Sequence, residues 1–395
     1  MIGILYKTLT VPVKCSGSDY DYLLRCNRES ARIWNSILEI EEEYRKKNDG
    51  KWVNRSVLQM KTKGLANLHA KGIQQVCHRY LYAREAATKA QQGKGENNKY
   101  PHRQKKYMNT IWDYQAFKVR NSTVFLTKPI ENIAGKRKIQ EPVKCFVRSL
   151  PENIVQIELI HKNQLYLAIK YKEESSYIQI NSDNHASIDL GEIHAITSID
   201  SRGNAVIITG RKVRAIKQLR NKQHAKLKSK MSKTEEGSKQ YIKYKKALKS
   251  ISFKTEEQIL DATHKISKLY LDFCIRHHIS VVYYGDLDSA TRNTKKKFKG
   301  TKVTQKLSQW NYGQLIRILE NKLSVYGIKM VKVKEYYTSQ TCPACGERHK
   351  PTGRDYVCKC GYKQHRDIVG AINILNQNAG TNIKYYKEKK YLRIS

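Results

Sequence analysis

Two kinds of hydrophobic pattern alternate along the first 180 residues. Residues 2–14 are rich in β-branched and apolar residues and predict a strand. Ser18 or Asp19 can cap a helix after it. Apolar residues recur at helical spacing in two segments and predict two amphipathic helices. Leu23, Cys26, Trp34, Ile37 and Leu38 mark the first helix, and Ile73, Val76, Cys77, Tyr80 and Leu81 mark the second. Residues 88–100 have no periodicity and predict a linker.

The pattern changes between Lys118 and Tyr177 to short apolar or alternating runs, which Asn, Gly and Lys turns separate. Such runs predict a series of strands. The strand at residues 2–14 can pair with them across the intervening helices. We therefore expect one β-barrel that is interrupted by a helical lobe.

Residues 183–380 have the pattern of a second unit. Three short strands, ASIDLG, HAITSID and NAVIITG, follow one another in hairpin order. After them the sequence predicts a basic helical stretch (211–250), an amphipathic helix (255–277), the strand SVVYYGDL, a helix (310–325), the strand IKMVKVKEYY and a last helix (366–377). This order of elements is that of an RNase H-like fold, so the whole chain is expected to be an α+β multidomain protein. The basic residues 378–395 are expected to be mobile.

The charge balance indicates a polyanionic partner. The 395 residues include 75 Lys and Arg against 35 Asp and Glu, a net charge of +40 that is spread along the whole chain. Such a surface attracts nucleic acid. An anionic membrane is the alternative polyanion, but no apolar run approaches 18 residues and the first residues lack a signal-peptide pattern. We therefore expect a cytoplasmic nucleic-acid-binding protein without a membrane partner.

Four of the nine cysteines are clustered. Cys342, Cys345, Cys358 and Cys360 have the spacing C-x2-C-x12-C-x-C, whereas the other five are scattered. Four thiolates can surround one Zn²⁺ tetrahedrally and leave no position open for water, which predicts a structural zinc. Gly346 and Gly361 follow the second and fourth cysteines, where a tight metal-binding turn needs permissive backbone. The alternative is four free thiols in a loop.

Two acids stand where an RNase H-like nuclease needs carboxylates. Asp189 ends the first strand of the second unit, and Asp367 begins the last helix. Each has a simpler interpretation, because Asp-x-Gly is common in hairpin turns and an acid is favourable at a helix start. In an RNase H-like nuclease, however, carboxylates from these two elements converge on two Mg²⁺ ions that activate water for phosphodiester cleavage.

The motifs SIDLG, HKIS, YTSQTCPACG, CKCGY and HRDIVGAINIL resemble the C-terminal half of the transposon-encoded TnpB family, whose relatives include Fanzor proteins and compact type V CRISPR effectors. The resemblance is specific over residues 183–377 and looser over 1–182. It implies an RNA-guided DNA endonuclease with a guide RNA from the transposon end, which cleaves double-stranded DNA next to a short motif. Asp189 and Asp367 match the first and third catalytic acids, and a prokaryotic host with nucleoid association is implied.

The same resemblance implies a domain organisation. Residues 1–16 and 101–182 correspond to a WED-like β-barrel, 17–100 to a helical REC-like lobe, 183–337 and 363–380 to a RuvC nuclease domain, 338–362 to an inserted zinc finger and 381–395 to a basic tail.

The second catalytic acid of the family is missing from its usual place. The corresponding strand commonly ends in Glu-Asp-Leu, whereas this chain has Gly285-Asp286-Leu287. Some branches of the family carry a substitute glutamate on the following strand, and Glu335 stands there. Asp286 and Asp288 are weaker candidates for the same role. The expected magnesium ligands are therefore Asp189, Glu335 and Asp367.

Two alternatives to an active guided nuclease stay open. A nuclease-dead, RNA-guided DNA-binding protein, comparable to a repressor, would explain Gly285. A guide-free nuclease or transposase would share the acids and the zinc finger but would not retain one discrete RNA.

Several basic and aromatic residues are candidates for nucleic-acid contact. The basic run from Arg211 to Lys249, with Tyr241 and Tyr244, is a candidate for backbone contact to RNA or a heteroduplex. Arg79 and Arg84 lie off the apolar stripe of their helix, and Trp52, Trp112 and Tyr114 are candidates for stacking on bases. The alternatives are solvated helix faces and buried aromatic side chains.

Overall fold

The structure is a computed structural model that describes residues 2–94, 99–133, 136–176, 180–286, 312–334, 336–351 and 353–394. The chain divides into two compact units, one formed by residues 3–175 and the other containing residues 176–395. The boundary therefore lies seven residues before the position 183 at which the sequence pattern changes.

Three helices precede most strands of the first unit: α1 (Gly17–Lys47), α2 (Arg55–Thr62) and α3 (Ala70–Lys94). The predicted apolar stripes of α1 and α3 are buried in its core. Two boundaries differ from the prediction. The Ser16 side chain caps α1 by accepting the amide N–H of Asp19. Helix α3 continues through 88–94, where Lys, Ala and Gln favour a helix without any apolar stripe.

The strands of the first unit form two larger sheets and one hairpin. They are β1 (Ile2–Pro12), β2 (Thr110–Asp113), β3 (Phe117–Arg120), β4 (Thr123–Leu126), β5 (Glu131–Ile133), β6 (Lys136–Lys138), β7 (Val143–Phe146), β8 (Ile154–His161) and β9 (Leu165–Ser176). One sheet has the order β1-β9-β8-β2 and the other β3-β4-β7, while β5 pairs with β6. The predicted pairing of the first strand with the later ones is confirmed. Just beyond β1, the carbonyl of Lys14 accepts the amide of Phe146, so this segment also contacts the second sheet.

The second unit contains one large sheet with helices on both faces. Its elements are β10 (Asn184–Asp189), β11 (His194–Asp200), β12 (Asn204–Thr209), α4 (Arg211–Met231), α5 (Lys239–Arg276), β13 (Ile279–Gly285), α6 (Tyr312–Ser324), β14 (Lys329–Val333), β15 (Asp355–Val357), β16 (Lys363–His365), α7 (Arg366–Ala379) and β17 (Glu388–Leu392). The sheet order is β14-β13-β10-β11-β12-β17. Strands β10, β11 and β12 are antiparallel, and β13 and β14 continue in parallel from β10. The predicted order of the main strands and helices is confirmed, but the predicted division between two helices at 250–255 was wrong. Helix α5 runs through that segment, and the break lies between Met231 and Lys239. Strands β15 and β16 were not predicted.

Each face of this sheet has its own apolar core. Ala186, Ile188, Val282 and Tyr284 pack with residues of α5 and α6 on one face. On the other face Ile199 and Ile207 pack with Ile368, Ala371, Ile372 and Leu375 of α7. Because side chains alternate along a strand, the odd-numbered positions at the end of β10 face α7. The helix α7 is therefore the element that approaches Asp189.

The C-terminal residues differ from the expected mobile tail. Strand β17 pairs in parallel with β12, with Tyr391 opposite Ile207 and Leu392 opposite Ile208. The expectation was wrong for residues 388–392, because their charged composition conceals an alternating pattern that covers the open edge of β12. Within the described residues, no helix is long and apolar enough to cross a membrane.

Candidate functional site

Asp189 lies directly against the first turns of α7. A Cβ atom built on Gly370 would lie 2.6 Å from Oδ2 of Asp189 and 3.2 Å from its Cγ. The carboxylate therefore packs closely against Gly370, where a larger side chain would displace it. Asp367 lies three residues before Gly370, and residues three apart share one face of a helix. The structure thus brings Asp189 and Asp367 to the same end of α7, although 178 residues separate them in sequence.

Asp367 is held in the first turn of α7 by two histidines. Nδ1 of His194 donates a hydrogen bond of 2.8 Å to Oδ2 of Asp367. The amide N–H of Asp367 donates to Nδ1 of His365, the residue that caps the helix. Burial raises the pKa of Asp367, but the hydrogen bond from His194 and the nearby His365 and Arg366 outweigh it and hold this pKa below its usual value. The carboxylate is therefore ionised and can bind a cation.

The two histidines were not singled out in the sequence. His194 begins β11 and is only 4% exposed, and its ring lies 5.0 Å from that of His365 and 5.8 Å from that of Tyr391 in β17. Burial lowers the pKa of His365, although the neighbouring Asp367 opposes this shift. One ligand atom from each of His194, His365 and Asp367 lies within 4.8 Å of the other two. The only sequence signal was the position of His365 two residues before Asp367.

The hairpin after Asp189 depends on a glycine. A Cβ on Gly191 would lie 2.8 Å from the carbonyl oxygen of His194. Without a side chain at this position, the chain can turn tightly between β10 and β11. Asp189 and His194 are consequently both positioned by the Leu190-Gly191 turn.

A buried hydroxyl beside Asp189 lacks a partner. Thr197 lies opposite Asp189 in the β10–β11 register, and Oγ1 of Thr197 is buried without a hydrogen-bond partner in the described part of the chain. Unpaired buried hydroxyls are costly, so a water or hydrated ion is expected to complete this site. Two carboxylates with a nearby hydroxyl form an oxygen-rich donor set that fits Mg²⁺.

Of the three candidates for the second acid, the structure describes Asp286 but not Glu335 or Asp288. In the β10–β13 register Ile188 lies opposite Tyr284, so the next pair brings Gly285 level with Asp189. Tyr284 faces α6 and donates to Glu320 there. Asp286 comes two residues after Tyr284 and pairs with Lys332, whose β14 position lies opposite Tyr284. Its carboxylate is thus on the face away from Asp189. Glu335 and Asp288 lie outside the described residues.

The four clustered cysteines converge as the zinc prediction requires. Sγ of Cys342 lies 3.7 Å from Sγ of Cys360, and Sγ of Cys345 lies 3.5 Å from Sγ of Cys358. A tetrahedron with Zn–S bonds of about 2.3 Å has edges of about 3.8 Å, so the sulfurs fit a Zn²⁺ ion. Gly346 and Gly361 have φ angles of 79° and 88°, the left-handed values that glycine tolerates. The amide of Tyr362 lowers the pKa of Cys360 to about 7.

The cysteine cluster is fixed to α7. Val369 packs against Cys342, Cys358, Tyr356 and Tyr362. The side-chain amide of Asn373 donates to the carbonyls of Thr338 and Thr341, which precede the first cysteine. The helix that carries Asp367 is therefore also the support of the cysteine cluster.

The structure reassigns several of the residues considered for nucleic-acid contact. Arg79 pairs with Glu158 at 2.7 Å, and Arg84 pairs with the buried Glu41 at 3.1 Å, so neither is a free cation. Trp112 is buried and donates to the carbonyl of Thr127. Trp52 lies beneath Arg45, and Tyr114 is exposed. Helices α4 and α5 pack together and carry the exposed part of the basic run from Arg211 to Lys249.

Comparison with known proteins identifies two family models that match between residues 168 and 374. Residues 168–291 match the model described as "Probable transposase", and residues 312–374 match "Cas12f1-like, TNB domain". The chain is 31% identical over 111 residues to the TnpB-like protein of Acidianus two-tailed virus, and 24% identical over 224 residues to the CRISPR-associated endodeoxyribonuclease Cas12f1 of Syntrophomonas palmitatica. These matches cover 28% and 54% of the chain but span only 23% and 43% of the two relatives.

A shorter relative is matched over most of its length. The chain is 32% identical over 73 residues, 16% of its length, to a candidate transposase of Methanocaldococcus jannaschii, and this match covers 67% of that protein. The fold is similar to that in a cryo-EM structure of a Cas12f1-sgRNA-target DNA complex, with a TM-score of 0.66 and 15% identity over 94% of this chain and 98% of the other. The chain belongs to the TnpB family of transposon-encoded proteins.

Proposed function

We propose that this chain is an RNA-guided DNA endonuclease of a transposon, which cleaves target DNA next to a short motif by divalent-metal phosphodiester hydrolysis. The observation that carries the proposal is the convergence of Asp189 and Asp367 on the first turns of α7. The name of the Syntrophomonas relative, an endodeoxyribonuclease, supports the same activity. Its place of action would be the nucleoid of a prokaryotic host.

We also propose a role for each segment. Residues 1–16 and 101–182 would form the WED-like barrel, 17–100 the REC-like lobe, 183–337 and 363–380 the RuvC domain, and 338–362 the zinc finger. The guide RNA would come from the transposon end. The basic exposed surface of α4 and α5 would contact its backbone or that of the heteroduplex.

The residues of the site have distinct roles in this proposal. Two Mg²⁺ ions, when bound, would supply an activated water and neutralise the charge on the scissile phosphate. Asp189 and Asp367 would hold them, and Glu335 would provide the third carboxylate. Glu335 is proposed from the sequence resemblance, in which a glutamate on the strand after Gly285 substitutes for the missing acid. His194 would orient the carboxylate of Asp367.

A second candidate function is RNA-guided DNA binding without cleavage. Gly285 favours it, because this residue lies level with Asp189 and has no carboxylate to offer. The ionised Asp367, held in place by His194, favours the active enzyme.

The decisive test is Mg²⁺-dependent cleavage with and without the copurified RNA. We expect Asp189→Asn, Glu335→Gln and Asp367→Asn each to abolish guided cleavage while target binding persists, since each removes one charge from a shared ion site and the three losses should not add. Asp286→Asn is the control and should retain most activity, because Asp286 pairs with Lys332 on the other face. Gly285→Glu in the Glu335→Gln background should restore some cleavage.

Each other outcome identifies a different function. Target binding without cleavage by the unmutated protein would establish the nuclease-dead alternative. Cleavage that is independent of RNA would establish a guide-free nuclease or transposase. Undiminished cleavage by Glu335→Gln would show that Glu335 is not a ligand of the catalytic metals.

A further inference from the structure

The surroundings of Asp367 contain more nitrogen donors than a magnesium site requires. His194 and His365 come from β11 and from the residue before α7, and each contacts Asp367 through a different atom of that aspartate. Their rings lie 5.0 Å apart. Mg²⁺ selects oxygen ligands, so its binding alone does not explain two imidazoles here.

We propose that His194, His365 and Asp367 form a binding site for a divalent transition-metal ion, such as Mn²⁺ or Zn²⁺. Two imidazoles and one carboxylate are a common protein ligand set for such ions, and they leave positions open for water or for a phosphate oxygen. The ion would be bound in preference to Mg²⁺ because imidazole suits first-row transition metals.

The distances are compatible with one shared ion. Metal–nitrogen and metal–oxygen bonds of about 2.0–2.2 Å require ligand atoms about 3.0–3.4 Å apart. Nδ1 of His194 and Oδ2 of Asp367 are already 2.8 Å apart, and the three ligand atoms lie within 4.8 Å of one another. To become the third ligand, His365 would have to turn toward the carboxylate of Asp367. Ligand binding would replace the 3.3 Å contact between the Asp367 amide and His365.

The surroundings of the cluster favour ion binding. His194 is almost fully buried, and Tyr391 packs edge-on against its ring at 5.8 Å, which fixes the orientation of the imidazole. Asp367 keeps a side-chain exposure of 31%, so an ion can enter from solvent. The site shares Asp367 with the proposed nuclease centre, and in this one respect the inference rests on the proposed function. Binding itself requires no cleavage.

The test measures Mn²⁺ binding to the full chain by electron paramagnetic resonance. The cysteine cluster is first loaded with one equivalent of Zn²⁺ and unbound Zn²⁺ is removed, so that Zn²⁺ does not occupy the histidine site. Excess Mg²⁺ is included so that phosphate sites on any bound RNA are occupied. We expect about one Mn²⁺ per chain to remain bound under these conditions. The pulsed spectrum of that ion should show modulation from ¹⁴N nuclei, which reports imidazole coordination in the unmutated protein.

The test variant is His194→Asn combined with His365→Asn. Asparagine can still donate to Asp367 at position 194 and can still cap α7 at position 365, so the fold is retained while both imidazoles are lost. We expect Mn²⁺ affinity to fall at least about tenfold. His185→Asn is the matched control, since His185 lies in the same sheet against Tyr283 and outside the cluster. Unfolding curves report whether each variant is folded.

Three results would overturn the inference. The first is bound Mn²⁺ without ¹⁴N modulation in the unmutated protein. The second is unchanged Mn²⁺ affinity in the folded double variant. The third is loss of Mn²⁺ in Asp189→Asn but not in the histidine variant, which would place the ion between the carboxylates. Absence of guided cleavage with Mn²⁺ binding retained would instead contradict only the proposed nuclease function.

Discussion

At the residue scale, the site is built from short contacts that exclude larger side chains. Gly370 leaves room for the carboxylate of Asp189, and Gly191 leaves room for the carbonyl of His194. The first contact involves the end of a flexible side chain, which can rotate away. The second involves backbone, which cannot move without shifting β11. Gly191 is therefore the less replaceable of the two glycines.

Replacing Gly191 with Ala tests this difference. The added Cβ would lie 2.8 Å from the carbonyl oxygen of His194 and would push β11 away from β10. We expect a loss of about 1–3 kcal/mol in the free energy of unfolding and a fall in guided cleavage, because Asp189 and His194 flank the turn. Gly313→Ala is the control, since a Cβ there meets nothing within 4 Å. Equal stability of the two variants in urea unfolding would contradict the prediction.

The sequence could indicate Asp189 and Asp367 but not the histidines beside them. The acids stand at element ends, where strand and helix patterns are visible, and the resemblance to a family adds to that signal. His194 is one of several polar residues in the run HAITSID, and nothing in the sequence distinguishes it. Only the tertiary fold brings it to Asp367, 173 residues later. Arg79 and Arg84 show the opposite error, because the sequence offered them as free cations. The structure pairs them with Glu158 and Glu41.

At the element scale, α7 joins three parts of the second unit. Its first turn carries Asp367, Val369 packs into the cysteine cluster, and Asn373 binds the carbonyls of Thr338 and Thr341. Disruption of the cluster should therefore reach the candidate active site through one rigid helix. The order of most strands along this unit was predictable because short apolar runs, bounded by turn residues, mark them in the sequence. Strand β17 was missed because charged residues dominate its sequence, EKKYL.

Cys358→Ser tests the coupling between the cluster and α7. We expect the bound zinc, about one ion per chain, to be lost, and the second unit to be destabilised, because structural zinc contributes folding free energy. Cleavage should fall as well, although Cys358 lies outside the acidic site. Cys15→Ser in the first unit is the control and should leave the zinc content unchanged. Freshly purified unmutated protein without zinc in elemental analysis would refute the assignment of the cluster.

Deleting residues 387–395 tests the role of β17. This segment closes the edge of β12 and places Tyr391 against His194, so its loss should lower the stability of the second unit by about 2–4 kcal/mol. A variant with Lys389, Lys390 and Arg393 replaced by Gln removes the same net charge of +3 but keeps the strand. Urea unfolding should show the loss only for the deletion. A loss of the same size in both would mean that charge, rather than strand pairing, is responsible.

At the scale of the whole molecule, the net charge of +40 favours a polyanionic partner, but not every basic side chain is available to one. Several basic side chains are neutralised by acids of the same helix, as in the pairs Lys46–Glu42, Lys89–Glu85 and Lys265–Asp261. In contrast, residues 211–249 contain 15 Lys and Arg against two Glu. Lys222, Lys226 and Lys230 are exposed along α4 at a spacing of four residues, and none of them has an acidic partner in the described part of the chain. This surface is where phosphate contacts should concentrate.

Two variants with equal total charge distinguish a localised binding surface from a general effect of charge. Replacing Lys222, Lys226 and Lys230 with Gln should weaken RNA binding. It should also reduce the slope of log affinity against log salt concentration by about 2–3, because fewer counterions are released on binding when phosphate contacts are lost. Replacing Lys46, Lys89 and Lys265 with Gln removes the same three charges, each already paired with an acid, and should change the slope little. The measurement is RNA affinity at several salt concentrations. Equal slopes for the two variants would show that net charge alone governs binding, and a nearly flat salt dependence of the unmutated protein would refute the polyanion interpretation itself.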